Sequence, residues 1–203
     1  MTNDKRRTAT MNEGGLSSFV HRPSSILVIG LGNPILGDDG VGCRVAEEVR
    51  RRLGIADFGS GTDTDSPHSA LRTPHFAIEV DCAALGGLSL MERLVGYDRA
   101  ILIDAISTGQ MPSGTVTRFA LEALPDLNAG HTTSAHDTSL PTALKLGRAM
   151  GVPLPDEITV IAVESQTVYD FSEELSPPVA AAVPRAVDLV MATLGVQLIP
   201  KEE

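Results

Sequence analysis

Two adjacent acids, Asp38 and Asp39, lie in the stretch ILVIGLGNPILGDDGVGCRV, which runs from Ile26 to Val45. The apolar run and the glycines predict a buried strand, a loop and a helix. In many proteins this unit binds phosphate groups at the helix N-terminus. Two negative charges in the loop oppose the binding of an anion. The acidic loop therefore indicates a cation site rather than a phosphate site.

Two further polar residues are expected near this loop. Asp104 ends the apolar part of AILIDAI, and His136 lies in HTTSAHDTSL, just before a predicted helix. Ligands of α/β sheets bind at the carboxyl ends of the strands, so one or both loop acids, Asp38 and Asp39, are expected to converge there with Asp104 and His136. Two carboxylates and one imidazole suit nickel, zinc or iron and leave coordination positions open. The pattern predicts an open metal site.

Each of these residues also has a structural interpretation. Asp38 precedes a predicted helix and is a candidate N-cap, while Asp39 in the first turn could stabilise the helix dipole. Asp104 is harder to explain in this way, because a charge at the end of an apolar strand must be paired, solvated or coordinated. His131 competes with His136 as the imidazole ligand.

Strand and helix patterns alternate along most of the chain. Residues 1–24 are polar without a period and are predicted to be a disordered extension, and 25–198 form one domain. A segment of about 55–75, which contains His68 and His75, is predicted to be a flexible insert. The alternation predicts a three-layer α/β/α sandwich with a five-stranded, mainly parallel sheet. The alternating segment GTVTRFAL is expected to form one antiparallel edge strand.

Composition narrows the possible partners and compartments. The net charge of −10 opposes nucleic-acid binding, because phosphate neutralisation needs a basic patch. No apolar run approaches the roughly 20 residues of a membrane span, and the N-terminus lacks a signal-peptide core. The two cysteines, Cys43 and Cys82, are predicted to be buried, reduced thiols. We therefore expect a cytoplasmic protein.

Two common enzyme classes lack their motifs. GLGNPILG departs from the dinucleotide fingerprint, because Asn33 and Pro34 follow its second glycine. The GxSxG elbow of α/β-hydrolases does not occur in the sequence.

The ordered set GLGNPILGDDGVG, ILIDAI and SAHDTSLPTAL resembles the hydrogenase maturation endopeptidases over about residues 26–198. The resemblance implies an α/β/α fold and a nickel-dependent protease that removes the C-terminal extension of the [NiFe]-hydrogenase large-subunit precursor. It implies that Asp39, Asp104 and His136 are nickel ligands and catalytic residues. Asp39 stands where some relatives have Glu, which shortens this ligand by about one methylene.

The resemblance further implies that nickel arrives with the precursor. Separately from the resemblance, we expect a monomer. It leaves open whether Asp39 or Asp104 acts as a base. Two alternatives remain. Peptidyl-tRNA hydrolases share GLGNP, but their following motif is absent and the charge opposes tRNA. A non-enzymatic metal-binding chaperone on the same scaffold is the other alternative.

Overall fold

A six-stranded sheet forms the centre of the computed structural model, which describes residues 24–55, 70–72, 76–123, 139–166 and 171–195. The strands lie in the order β2-β3-β1-β4-β6-β5. The middle four are parallel. In chain order the strands are β1 (Ser24–Leu31), β2 (Ala70–Arg72), β3 (Phe76–Ala83), β4 (Arg99–Ile106), β5 (Val116–Ala120) and β6 (Glu157–Glu164).

The central strands are buried on both faces, because a layer of helices covers each face of the sheet. The helices are α1 (Val41–Leu53), α2 (Gly87–Arg93), α3 (Leu140–Ala149) and α4 (Pro177–Leu194). Alternate β1 residues face opposite layers: Val28 packs with α1 and α4, and Leu27 packs with α2 and α3. These two apolar clusters confirm the predicted three-layer α/β/α sandwich.

The sheet differs from the prediction at one edge. The antiparallel strand expected from GTVTRFAL is confirmed as β5, which pairs with β6. The opposite edge carries β2, a three-residue strand antiparallel to β3. It lies inside the predicted insert and was missed because its pairing depends on β3 rather than on a local pattern. The predicted extension 1–24 ends at the first residue of β1, Ser24. Residues 1–23, the insert positions 56–69 and 73–75, and residues 196–198 lie outside the described residues.

Helix α4 has enough length and apolar composition to span a membrane, with a mean hydropathy of 1.2 over 18 residues. Its apolar side chains have a structural explanation. Val179, Val187 and Val190 are fully buried in the cluster between α1, α4 and the sheet. Core helices of soluble proteins share this composition.

Close packing of α1 against the sheet fixes the acidic loop at the carboxyl edge. A Cβ at Gly42, in the first turn of α1, would lie 2.3 Å from the carbonyl oxygen of Leu31 and 2.4 Å from that of Ile103. Only glycine allows this approach, so α1 begins directly against the ends of β1 and β4. The short 3-10 helix Gly37–Gly40 fills the turn between β1 and α1.

Candidate active site

The candidate site lies where the order of the strands reverses. From β1 the chain crosses to β3 on one side and then to β4 on the other side of β1. In such sheets the crevice at the carboxyl ends of the two diverging strands is the usual ligand site. Asp39 follows β1 and Asp104 lies in β4, so the structure places both predicted carboxylates at this point.

Asp39 is held in place by the backbone that precedes it. Its Oδ2 atom accepts a hydrogen bond of 2.6 Å from the backbone N–H of Asn33. Gly32 has a φ of +116°, and a Cβ there would lie 1.8 Å from the carbonyl oxygen of Asp39. A side chain at position 32 is therefore excluded on two grounds. The glycine and asparagine of GLGNP thus position the Asp39 carboxylate.

Asp104 is a partly buried carboxylate beside a second negative charge. Its pKa is raised to about 7, first by burial and then by the charge of Asp39, while a hydrogen bond from the backbone of Ala105 acts in the opposite direction. Two carboxylates that repel each other in a partly dry crevice are stabilised by a cation between them. The electrostatics of this pair therefore favour a metal ion or another cation.

His136, the third predicted ligand, and its competitor His131 lie outside the described residues, as do His68 and His75. Within the described ranges, no group of three His, Cys, Asp or Glu side chains is arranged to bind a metal. The Asp39, Asp104 and His136 set therefore stays a prediction. Helix α3, which follows His136 in the sequence, has Ser139 as its N-cap, whose side chain accepts from the N–H of Thr142.

Asp38 does not cap the helix that follows it, contrary to one interpretation of the sequence. The N-cap of α1 is Gly40, without a side-chain cap. Asp38 is 1% exposed, and its carboxylate accepts from the Ser165 hydroxyl at 2.7 Å, the Ser176 N–H at 2.6 Å and the Ser176 hydroxyl at 2.7 Å. It therefore connects the acidic loop to the end of β6 and the start of α4. Such long-range partners leave no local signal in the sequence.

The prediction of reduced, buried cysteines is wrong. Cys43 and Cys82 form a disulfide across 39 positions of sequence, with Cα atoms 5.1 Å apart. Cys43 is buried, whereas Cys82 is exposed at the end of β3. The bond forms because the start of α1 packs beside the carboxyl end of β3, a tertiary contact that cysteine spacing does not reveal. The disulfide joins α1, the helix that follows Asp39, to β3.

Comparisons with known proteins agree with this fold. The family model HycI, described as hydrogenase maturation protease, matches residues 80–193, more than half of the chain. The hydrogenase 2 maturation protease of Escherichia coli is 27% identical over 87% of this chain and 96% of its own length. A putative hydrogenase maturation protease of Methanocaldococcus jannaschii is 27% identical over 85% of this chain and 98% of its own length.

Two solved structures extend the likeness. The hydrogenase maturating endopeptidase HybD from Escherichia coli superposes with a TM-score of 0.62, covering 84% of this chain and 92% of its own. At 24% identity it supports the fold. A hydrogenase 2 maturation peptidase from a Thaumarchaeota archaeon is 27% identical, with a TM-score of 0.51, and covers 86% of this chain and 100% of its own.

Proposed function

Because the chain belongs to the hydrogenase maturation protease family, we propose that it removes the C-terminal extension of a [NiFe]-hydrogenase large-subunit precursor. The substrate in this proposal is a folded precursor that already contains nickel. The protease recognises the nickel and cuts one peptide bond. The reaction would take place in the cytoplasm, where the precursor is synthesised.

In this proposal Asp39, Asp104 and His136 provide the ligands that meet the precursor's nickel. The carboxylate pair at the strand-order reversal is the observation that supports it most directly. Oxygen ligands and one imidazole are compatible with nickel. Nickel bound there would polarise the scissile carbonyl or activate water. The hydrogen bond from Asn33 keeps the Asp39 carboxylate in a fixed position, so little ordering is needed when substrate binds.

The test is cleavage of purified nickel-loaded precursor by the full chain, followed by mass spectrometry of the released peptide. We expect the parent protein to cut, and Asp39→Asn and His136→Ala to lose at least about a hundredfold in rate. Asp156→Asn is the matched control, because it makes the same chemical change on an exposed aspartate just before β6. Folding of every variant is checked by circular dichroism.

Full cleavage by folded Asp39→Asn would remove Asp39 from the proposed site. Binding of the precursor without any cleavage would instead favour the non-enzymatic chaperone. A rate that is lost equally in the Asp156→Asn control would mean that the loss reflects total charge rather than the site.

A further inference from the structure

Two large apolar side chains are exposed beside the acidic loop. Ile35 is 50% exposed and Phe171 is 87% exposed. Exposed apolar side chains are common when scattered singly, but neighbouring ones next to a functional crevice often mark a contact surface. We call these two residues, with the backbone that joins them, the Ile35–Phe171 platform.

The platform has an ordered backbone. Leu36 and Ser172 form a parallel β-bridge. The N–H of Ser172 donates to the carbonyl of Ile35 at 3.1 Å, and the N–H of Gly37 donates to the carbonyl of Ser172 at 2.6 Å. These bonds tie the residue after Phe171 to the loop that contains Ile35. A partner would therefore meet a largely preformed surface, at a small entropic cost.

Further contacts anchor the Phe171 side of the platform to the rest of the protein. The buried Asp38 carboxylate accepts from the N–H and hydroxyl of Ser176. The guanidinium of Arg44, on α1, donates to the carbonyl of Glu173 at 3.2 Å. The segment from Phe171 to Ser176 is thus attached to both the acidic loop and the first helix.

Asn33 joins the platform to the candidate site. Its side-chain Oδ1 accepts from the N–H of Ile35 at 3.2 Å, and its own N–H donates to Oδ2 of Asp39 at 2.6 Å. One residue therefore holds both the backbone of Ile35 and the carboxylate of Asp39. Ile35 and Asp39 thus belong to one hydrogen-bonded loop.

A groove of about 560 Å³ adjoins the Ile35 side of the platform. Its lining combines apolar, basic and acidic groups, including Pro34, Ile35, Arg44, Glu47, Arg50 and Glu173. This mixture suits a polypeptide, which has a polar backbone and varied side chains, better than a uniformly charged or uniformly apolar ligand.

We propose that the Ile35–Phe171 platform binds the precursor segment that adjoins the scissile bond, through a large apolar side chain of that segment. The proposal rests on the proposed function and names a specificity surface for it. The two side chains offer on the order of 250 Å². That is far below the roughly 800 Å² per partner of a stable protein interface. The area fits a short peptide segment, and its continuity with Asp39 fits the segment about to be cut.

The test compares two double variants. Ile35→Ala with Phe171→Ala removes the platform. The control, Leu146→Ala with Met150→Ala, removes two other exposed apolar side chains. Leu146 is 50% exposed and Met150 is 72% exposed, and both lie at the C-terminal end of α3. We expect the platform variant to raise KM for precursor cleavage by about tenfold or more, with kcat within about threefold, since apolar burial contributes to binding. The control variant and both melting temperatures should change little.

Three results would overturn the proposal. The first is an unchanged KM in a folded platform variant, and the second is an equal rise in the control. The third is a parent protein that is a dimer in sedimentation and a platform variant that is a monomer, because the surface would then serve self-association.

Failure of the proposed function can be separated from failure of this inference by measuring precursor binding directly. If the parent protein cuts no precursor, the proposed function fails. Binding that is weakened by the platform variant alone would still support the surface. Binding that is unaffected by it would refute the surface as well.

Discussion

Asp39 lies close enough to Asp104 for its charge to raise the pKa of Asp104, in addition to the larger effect of burial. Asp39 lies in the 3-10 helix after β1 and Asp104 lies in β4, 65 positions further along the sequence, so the fold creates this repulsion. A like-charge pair opposes folding when no cation is bound. Functional sites often contain such unfavourable pairs, because the ligand that binds there relieves the repulsion.

We predict that Asp104→Asn stabilises the metal-free protein at alkaline pH. The carboxyl group has a pKa of about 7 in the folded chain and an ordinary value of 3.8 as reference. The folded state therefore keeps a proton that the unfolded chain has lost, and stability falls as pH rises from about 4 to 7. The variant removes this loss. We expect a gain on the order of 2 kcal/mol at pH 8, allowing for solvent screening, and a smaller gain at pH 5.

Urea unfolding in the presence of a chelator measures this difference, with Asp156→Asn as the exposed control. A variant that is less stable than the parent at pH 8 would mean that Asp104 makes a favourable contact in the folded protein. The same variant should fail to process precursor, so stability and activity should move in opposite directions.

We predict that Asp38→Ala and Asp38→Asn differ sharply. Alanine removes the acceptor of three hydrogen bonds from Ser165 and Ser176, and should cost about 3 kcal/mol in the free energy of unfolding. The asparagine amide can accept from the Ser176 N–H and donate to the hydroxyl oxygens, so its cost should be about 1 kcal/mol. Urea unfolding gives both values. Loss of cleavage in folded Asp38→Asn would mean that Asp38, rather than Asp39, acts on the substrate.

Much of the fold could be predicted because its signals are local. Continuous apolar runs such as that from Ile26 to Leu31 are typical of strands buried on both faces. Valines at helical spacing after the acidic loop predict a helix from about Gly40 to Leu53, and α1 spans Val41–Leu53. Serine is a favoured N-cap residue, and Ser139 caps α3. The edge strand β5 was predicted from strict alternation after a turn.

The features that were missed depend on contacts between distant residues. The partners of Asp38 lie 127 and 138 positions away, and local preference for Asp at helix starts suggested a cap instead. The pairing of Cys43 with Cys82 follows from packing that two isolated cysteines do not indicate. The placement of Asp39 and Asp104 at one edge was predictable, because it needs only strand ends and a parallel sheet. The raised pKa of Asp104 was not predictable, because it depends on how deeply the carboxyl group is buried and on the position of the Asp39 charge.

We predict that reduction of the Cys43–Cys82 bond lowers stability. The bond closes a loop of 39 positions, which in the chain-entropy model corresponds to about 3 to 4 kcal/mol. For a chain of this size the melting temperature should fall by roughly 10 °C. Calorimetry with and without reductant measures the shift, and the Cys43→Ser, Cys82→Ser double variant controls for effects of the reductant elsewhere. Equal melting temperatures would show that the purified protein does not contain the bond.

Our last prediction is that nickel comes with the substrate, so the purified protease should contain little or none. A resident metal is usually retained through purification by several strong ligands and the groups that orient them. The proposed set here is two carboxylates and one imidazole, without a thiolate. The precursor's cysteine thiolates bind nickel more strongly than this set does. Nickel should therefore remain with the precursor, and the protease should complete its coordination only when the two proteins meet.

Nickel content of the purified protease, followed by cleavage of nickel-loaded and nickel-free precursor in the presence of a chelator, tests this arrangement. Loaded precursor should be cut and empty precursor left intact, because only the loaded form presents a cation to the Asp39 and Asp104 carboxylates. Asp104→Asn should cut neither precursor, whereas Asp156→Asn should still cut the loaded precursor and leave the empty one intact. One equivalent of nickel retained by the protease alone would show that the metal is resident. Equal cleavage of the two precursors would show that recognition depends on the polypeptide and not on the metal.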